Sequence, residues 1–316
     1  MTQSTKSVAG IDVAKSHLDL ALGPEGEVRR FPNTLAGWRA IAELVDRHGV
    51  ERVGLEATGG HEAGVAAHLR AAEIAVTILQ PIQVRAFARV RLRRAKNDRL
   101  DARLIAAFLA EVDPPQRVHH PKTAALLARL TFLEQTEDDM ARLKIRREHV
   151  VEDDLKALVA EDLARLKARR AALLADLVTR LQDDPDLARR LELLVSIPGI
   201  GRRTAVALIV RLPELGDVSR EEIAALAGLA PYDRDSGASS GARHIAGGRA
   251  RVRKSLFAAT MPAAYRWNEA LVTFRDRLLA RNKPPKVALI ACARKLLVFA
   301  NAVIARGSPW TQKIPA

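Results

Sequence analysis

The stretch "SVAGIDVAKSHLDLALG", residues 7–23, decides the fold class of this chain. Two short apolar runs are separated by the polar residues "KS", which predicts strands over residues 7–14 and 17–23 joined by a short turn. The stretch "EVRRFPN" that follows can supply a third strand. Asp12 lies inside the first of these strands, where an acid is costly unless it is paired or bound to a metal.

Helical and extended patterns alternate after these strands. The stretch "TLAGWRAIAELVDRHG" predicts a helix with Thr34 as its N-cap and Gly49 as its end. A strand in "RVGLEAT", a helix over residues 60–73 and a fifth strand in "IAVTILQP" come next. Three strands followed by this alternation predict a mixed five-stranded sheet with helices packed on it, in an α/β domain over residues 1–115.

The charge of the chain points to a polyanionic partner. Among 316 residues, 51 Lys and Arg stand against 37 Asp and Glu, which gives a net charge of +14 and favours nucleic acid. We expect no membrane partner, because the N-terminus lacks the apolar core of a signal peptide and the apolar segment "KVALIACARKLLVFANAVI" carries Arg294 and Lys295. The single cysteine, Cys292, excludes an internal disulfide and is interpreted as a core residue.

The rest of the chain is predicted to be mostly helical. Over residues 116–190 leucines recur every three or four positions, which predicts a helical coiled-coil linker or oligomerisation segment, paired either antiparallel within the chain or between chains. Residues 191–316 form a third segment, in which "IPGIGRRTA" resembles the turn of a helix-hairpin-helix motif. There the backbone at Gly199 and Gly201, reinforced by Arg202 and Arg203, could meet a phosphate. An ordinary turn between two helices would use the same residues.

Four acids are predicted to converge. Asp12 and Glu56 lie near the ends of two strands, and Asp98 and Asp101 lie three residues apart on one face of a helix. A carboxylate cluster is tolerable when it binds a hard divalent cation, and two such ions can clamp the reacting oxygens of a phosphodiester. The alternatives are local: Asp98 and Asp101 can cap a helix start, and Glu56 can pair with an arginine.

Two basic regions and a serine-bearing loop complete the candidate site residues. The run "RAFARVRLRRAKNDR" precedes the helix acids and could hold a nucleic-acid backbone through Arg85, Arg89, Arg91, Arg93, Arg94 and Lys96. The loop "YDRDSGASSGARHIAGGRARVRKS" carries Ser236, Ser239 and Ser240, followed by Arg243, Arg249, Arg251, Arg253 and Lys254. A hydroxyl held there could attack phosphorus beside guanidinium groups. A phosphate-binding loop without a nucleophile is the alternative.

Five motifs in this order resemble those of the DEDD-type insertion-sequence transposases, which are bridge-RNA-guided recombinases. The motifs are "GIDVAKSHLDL", "GLEATGG", "KNDRLDARLIA", "IPGIG" and "SGASSGARHIAGGRARVRKSLF". The resemblance covers roughly residues 7–112 and 190–306 and is specific because the five motifs occur in register.

The resemblance implies a RuvC-like, RNase H-type N-terminal domain whose acidic tetrad maps onto Asp12, Glu56, Asp98 and Asp101, with Mg²⁺ or Mn²⁺ bound there. It also implies a C-terminal transposase domain whose nucleophilic serine maps onto Ser236 in "DSG". Donor and target DNA would be joined through a 5′-phosphoserine bond, and a structured noncoding bridge RNA would select both DNAs. The resemblance further implies a homo-oligomer, either a dimer or a tetramer. It also implies a cytoplasmic protein that associates with the nucleoid of a prokaryote.

Two other functions start from the same residues. A RuvC-like structure-specific endonuclease would hydrolyse branched DNA with water and form no covalent intermediate. A small-molecule phosphotransferase of the actin and sugar-kinase fold also begins with an acid-bearing strand, but it needs a second domain with its own strands, which the helical remainder of this chain does not predict.

Overall fold

The structure is a computed structural model and describes residues 7–57, 59–91, 98–112, 114, 121–232 and 244–311. The chain divides into two compact units, Met1–Arg117 and Val118–Ala316. Each unit contains its own clusters of buried apolar side chains.

The first unit is built on a mixed five-stranded sheet in the order β3-β2-β1-β4-β5. Strands β1 to β3 form an antiparallel meander, and β1, β4 and β5 run parallel. The bounds are β1 Val8–Val13, β2 His17–Leu22, β3 Val28–Pro32, β4 Arg52–Glu56 and β5 Ala75–Leu79. The prediction of a mixed five-stranded sheet is confirmed, in an arrangement consistent with an RNase H-like domain.

Helices cover both faces of this sheet. On one face, α1 (Leu35–Arg47) and α2 (Ala63–Ala71) share a buried cluster with Ile11 and Leu20 of the strands. On the other face, α3 (Pro81–Val90) and α4 (Asp98–Val112) form a second cluster with Val8. Successive strand residues point to opposite faces, which explains why neighbouring residues of β1 belong to different clusters.

The ends of α1 follow the sequence prediction. Thr34 occupies the N-cap in an extended conformation, although its side chain makes no capping hydrogen bond. The chain leaves the helix at Gly49, whose φ of +59° lies in the left-handed region that glycine adopts without steric cost.

Helix α4 lies directly on the sheet because two strand positions lack a side chain. A Cβ added to Gly10 would lie 2.2 Å from the Ala102 carbonyl oxygen and 2.5 Å from the Ala106 nitrogen. At Gly54 it would meet the side-chain ends of Leu109 and Ile105. These two glycines therefore permit the close approach of α4 to β1 and β4.

In the residues that the structure describes, the second unit is helical apart from a two-stranded ribbon. Its helices are α5 Pro121–His149, α6 Asp153–Gln182, α7 Pro185–Val195, α8 Arg202–Arg211, α9 Arg220–Leu226, α10 Ala250–Pro262, α11 Glu269–Ala280 and α12 Pro285–Arg306, with a π-helical stretch over Ala263–Trp267. The ribbon consists of β6 (Pro231–Tyr232) and β7 (His244–Ile245). This agrees with the predicted helical C-terminal part.

The two long helices of the middle segment belong to the core of the second unit. Hydrogen bonds from Arg129 to Asp176 and from Arg170 to Glu137 show that α5 and α6 run antiparallel within the chain. Leu130 and Leu177 lie in the same buried cluster as the helices from α7 to α12. The structure thus joins the middle segment to the C-terminal helices, whereas the sequence pattern alone sets it apart.

Helix α12 is a central core element of the second unit. By length and mean hydropathy it could cross a membrane, but 56% of its apolar window is buried within the protein. Lys295 places its Nζ 4.6 Å from the centre of the Phe274 ring. Cys292 is fully buried, as predicted, and burial raises the pKa of its thiol to about 11, so it stays protonated at neutral pH.

Candidate functional site

Asp12 and Glu56 lie side by side at the ends of two neighbouring strands. In the parallel pairing of β1 with β4, Ile11 stands opposite Leu55, so the next residues along each strand are Asp12 and Glu56. Residues in register on adjacent strands point to the same face of the sheet. Both acids are half-buried and lie on the face that α4 covers.

The start of α4 brings Asp101 to the same region. Ala102 packs on Gly10, two residues before Asp12, and Asp101 directly precedes Ala102. The helix begins at Asp98, and of this residue the structure describes only the helical backbone. An acid in the first turn is also favoured by the helix dipole, so this local role remains an alternative for both residues.

Convergence of the tetrad on a metal remains a prediction. Among the side chains that the structure describes, no group of three or more His, Cys, Asp or Glu is close enough to hold a metal ion. The side chain of Asp98 is not among the described side chains. The donor chemistry fits Mg²⁺ or Mn²⁺, because these hard cations prefer carboxylate oxygens and all four residues supply them.

An ion pair beside Asp12, between the buried Asp19 and the exposed Arg30, was not predicted from the sequence. Asp19 stands directly opposite Asp12 across β1 and β2, and Arg30 stands opposite Asp19 across β2 and β3. The Arg30 guanidinium donates two hydrogen bonds, of 2.8 and 2.7 Å, to the carboxylate of Asp19, which is only 2% exposed. The sequence did contain one signal for Asp19. A short turn between the first two strands places Asp19 opposite Asp12.

The basic run before α4 is exposed where the structure describes it. Val84 is buried and Phe87 packs edge-on against Phe108 at 5.4 Å between ring centres, which anchors α3 on α4. Arg85, Arg89 and Arg91 lie on the surface, and Arg91 forms an ion pair with Glu111. Arg93, Arg94 and Lys96 lie outside the described residues.

The glycine turn separates α7 from α8. Gly199 has a φ of +104°, and Gly201 is the N-cap of α8 with open space around it. Arg202 beside it is exposed. Arg203 instead points into the unit, where its Nη2 donates a hydrogen bond to Glu137 Oε2 at 2.7 Å. This contact with Glu137 competes with the predicted binding of Arg203 to phosphate.

The predicted nucleophile and its neighbours Ser236, Ser239, Ser240 and Arg243 lie outside the described residues. The ribbon of β6 and β7 brings the two ends of their loop together, with Tyr232 opposite His244. The loop is therefore closed at its base by a fixed pair of strands.

The basic residues after this loop are held by groups of the protein. Arg249 donates hydrogen bonds of 2.7 and 2.6 Å to Glu214, and the Nη1 of Arg253 donates to the Gly247 carbonyl at 2.8 Å. Arg251 and Lys254 both bind Asp138 of α5. These contacts give the cations a structural role that their positions in the sequence did not indicate.

Two family comparisons cover both parts of this arrangement. Residues 9–157 match the model of DEDD transposases of the IS110 type, described as a transposase, and residues 191–275 match the transposase family IS116/IS110/IS902. The chain belongs to the IS110 family of transposases. It is therefore an enzyme that acts on DNA, as the sequence resemblance predicted.

Two of the similar proteins align with nearly the whole length of this transposase. The pilin gene-inverting protein of Moraxella bovis is 26% identical over 321 residues, which cover 98% of this chain and 99% of that protein. The protein of the same description from Moraxella lacunata aligns over the same extent. An uncharacterised protein of insertion element IS110 from Streptomyces coelicolor is 31% identical over 125 residues, 39% of this chain and 31% of its own length.

The family matches include the candidate residues of both units of this IS110-family transposase. The first match contains Asp12, Glu56, Asp98 and Asp101, and the second contains the glycine turn and Ser236. The matches thereby establish that the chain is an enzyme that acts on DNA.

Proposed function

We propose that this IS110-family transposase cuts and rejoins donor and target DNA with two sets of groups, the carboxylates Asp12, Glu56, Asp98 and Asp101 and the hydroxyl of Ser236. The observation that carries the proposal is the register of β1 and β4, because it sets two acids side by side on one face at the strand ends. Placing two carboxylates next to each other costs free energy unless a cation or another positive group lies beside them.

The serine step exchanges one phosphodiester for another. The Ser236 Oγ forms a bond to phosphorus while the bond from phosphorus to the 3′ oxygen breaks, which leaves a 5′-phosphoserine and a free 3′ hydroxyl. The serine hydroxyl loses a proton and the departing oxygen gains one. A later attack of a 3′ hydroxyl on the phosphoserine reverses the exchange and joins a new strand, so no external energy source is required.

The four carboxylates hold Mg²⁺ or Mn²⁺, which supplies Lewis-acid stabilisation of charge on the phosphodiester oxygens. Asp12 and Glu56 provide rigid ligand positions because both are fixed in strands. Asp98 and Asp101 provide positions on the first turn of α4. The ion pair of Arg30 and Asp19 lies beside Asp12, and Arg30 there neutralises the negative charge of the Asp19 carboxylate.

The partners are donor DNA, target DNA and a structured noncoding RNA that selects them by base pairing. A net charge of +14 supports the binding of several nucleic-acid strands at once. The enzyme acts as a homo-oligomer in the prokaryotic cytoplasm. The contacts to the nucleic-acid backbone come from residues that are exposed in the structure, namely Arg85, Arg89, Gly201 and Arg202.

The testing experiment looks for DNA attached to the protein. Purified transposase is incubated with Mg²⁺, the noncoding RNA that flanks its gene and labelled DNA that spans the junction of the element. A denaturing protein gel then shows whether label migrates with the chain. We expect a covalent adduct, which is lost in Ser236→Ala because the attacking oxygen is removed.

Matched variants separate the two sets of groups. Ser239→Ala and Ser240→Ala should retain the adduct, while Asp12→Asn and Asp101→Asn should lose it and remain folded. Cut DNA without an adduct, still produced by Ser236→Ala, would show that water is the nucleophile and that the enzyme is a RuvC-like endonuclease. Retention of the adduct in Asp12→Asn would remove the tetrad from the reaction.

A further inference from the structure

Four arginines line an open cleft between the two long helices of the second unit. Arg142 and Arg146 come from α5, and Arg165 and Arg169 come from α6. The cleft has a volume of about 450 Å³, and Leu143 and Leu166 form part of its lining. It belongs to the segment over residues 116–190, for which the proposed function includes no ligand.

The acids in the cleft neutralise only half of its positive charge. Asp139 forms an ion pair with Arg142, and Asp162 forms one with Arg165, each within its own helix. Arg146 and Arg169 are exposed and have no acidic partner in the part of the chain that the structure describes. Two guanidinium groups thus remain available to an anionic ligand.

The spacing of the arginines suits a repeating anion. In each helix the two arginines are four residues apart, which places them roughly 6 Å apart along the axis. Packed helices lie about 8–10 Å apart, and the register set by Arg170 and Glu137 brings Arg142 opposite Arg165, with Arg146 and Arg169 toward opposite ends of the cleft. A nucleic-acid strand carries one phosphate for about every 3.4 Å of duplex, so a row of arginines about 12 Å long spans three to four phosphates.

We propose that this cleft, defined by Arg142, Arg146, Arg165 and Arg169, binds the phosphodiester backbone of one nucleic-acid strand. Guanidinium groups suit this ligand because their planar fork donates paired hydrogen bonds to phosphate oxygens. The half-buried leucines between them present an apolar floor that ribose or deoxyribose can cover. The contact reads no bases, so it adds affinity and register to a complex whose sequence choice lies elsewhere.

The test compares Arg146→Gln/Arg169→Gln with a matched control, Lys144→Gln/Lys167→Gln. The control removes the same charge from the same two helices at exposed positions that do not line the cleft. Fluorescence anisotropy of a labelled DNA duplex, a labelled DNA single strand and a labelled RNA hairpin, each of arbitrary sequence, gives the dissociation constant over a range of salt concentrations.

The arginine variant should reduce the slope of log Kd against log salt by about two, since each phosphate contact contributes roughly 0.9. The lysine control should keep the slope of the unmodified protein. A reduction with the RNA hairpin alone identifies RNA as the occupant, a reduction with DNA alone identifies DNA, and a reduction with every probe identifies a general backbone site. Arg146→Lys/Arg169→Lys should retain the slope, because the charges remain.

Two results would overturn the proposal. One is an equal slope for the arginine variant and the lysine control with every probe. The other is a change of oligomeric state, seen by light scattering, with an unchanged slope, which would mean that acidic side chains of a second copy occupy the cleft. Thermal melting checks that each variant is folded, which we expect because all the substituted residues are exposed.

Discussion

Gly10 and Gly54 show how single residues determine the position of the acid-bearing helix. Both lie on the sheet face that α4 covers, but their neighbours differ. Gly10 faces backbone atoms of Ala102 and Ala106, whereas Gly54 faces the side-chain ends of Leu109 and Ile105. Backbone cannot move without shifting the helix, while a side chain can change its rotamer.

Gly10→Ala should destabilise the first unit more than Gly54→Ala. We expect a loss of about 3 kcal/mol at Gly10 and about 1 kcal/mol at Gly54, because the first methyl forces α4 off the sheet and the second displaces only side chains. Urea denaturation of each variant measures both values. Equal losses at the two positions would contradict the close backbone packing. A displaced α4 should also lower strand cleavage in Gly10→Ala, since Asp101 moves with it.

Gly199 combines two constraints in the turn before α8. Its φ of +104° is unfavourable for other residues, and an added Cβ would lie 2.3 Å from the Cβ of Ala263. Gly201 has a φ of −83°, and a Cβ added to it would meet no atom of the described residues within 4 Å. The two glycines of one motif therefore serve different purposes.

Gly199→Ala should cost at least about 2 kcal/mol of the free energy of unfolding of the second unit, from the strained backbone and the overpacked contact together. Gly201→Ser should leave stability within about 0.5 kcal/mol, since serine is an accepted N-cap. Chemical denaturation distinguishes the two. If Gly201→Ser weakens DNA binding while the protein stays stable, the backbone at this turn contacts phosphate; unchanged binding would remove Gly201 from the interface.

At the scale of elements, an acidic strip on α5 holds the C-terminal helices. The strip is defined by Glu134, Glu137 and Asp138, and its partners are Arg203 and Arg211 of α8 and Arg251 and Lys254 of α10. Glu134 is 3% exposed and accepts hydrogen bonds of 3.0 and 2.5 Å from Arg211. The middle helices are thereby tied to the helix that follows the serine loop.

Glu134→Gln should lower the free energy of unfolding by on the order of 3 kcal/mol, because it leaves the charge of the largely buried Arg211 uncompensated. Asp176→Asn is the matched control on α6: its partners Arg129 and Arg180 are exposed to solvent, so we expect a loss below about 1 kcal/mol. Guanidinium denaturation compares the two. If the loss of free energy of unfolding in Glu134→Gln is no larger than in the control, the acidic strip does not stabilise the second unit.

The strip also predicts how stability depends on pH. Burial acts to raise the pKa of Glu137, but hydrogen bonds from Arg203 and Arg170 outweigh it and hold the pKa below its ordinary value. The hydrogen bond from Lys254, opposed by burial and aided by Arg251, lowers the pKa of Asp138. A carboxyl with a lowered folded-state pKa contributes stability above its unfolded-state pKa and loses it as the pH falls through the folded value.

The free energy of unfolding of the second unit should therefore fall as the pH drops below about 4, the ordinary range of Glu. In Glu137→Gln this fall should be shallower, because one of the titrating groups is absent. Urea denaturation at a series of pH values measures the slopes. Parallel curves for the two proteins would show that Glu137 does not contribute to acid stability.

At the scale of the whole molecule, the described residues form separate cores in the two units. The sheet unit contains two buried clusters and the helical unit contains one large cluster, and each cluster draws its residues from one unit. Cooperative unfolding follows shared buried surface, so separate cores should open separately.

We expect two unfolding transitions, one for each unit. Gly10→Ala should lower the midpoint of one transition and Glu134→Gln the midpoint of the other, since each substitution affects a single core. Calorimetry gives the midpoints, and hydrogen exchange read by mass spectrometry assigns them to residues. One transition shifted equally by both variants would show that the units unfold as a single cooperative body.

Most of the first unit was predictable because its signals are local. The strand residues, the end of α1 at Gly49 and the strand positions of Asp12 and Glu56 follow from the spacing of apolar, polar and glycine residues. The partnership of Asp19 with Arg30 was not predicted, since it depends on which strands pair and in what register. The same limit applies to Arg203, Arg249, Arg251 and Lys254, whose acidic partners lie far away in the sequence.

The sequence by itself determined the order of strands and helices, the positive charge and the places where acids, glycines and serines stand, because backbone preference and side-chain periodicity act over a few residues. Only the tertiary structure decided which charged side chains form ion pairs within the protein and which are exposed and available to a ligand. A long charged side chain forms an ion pair with whichever opposite charge lies close to it. The charges of α5 lie close to those of α8 and α10 only after the helices have packed.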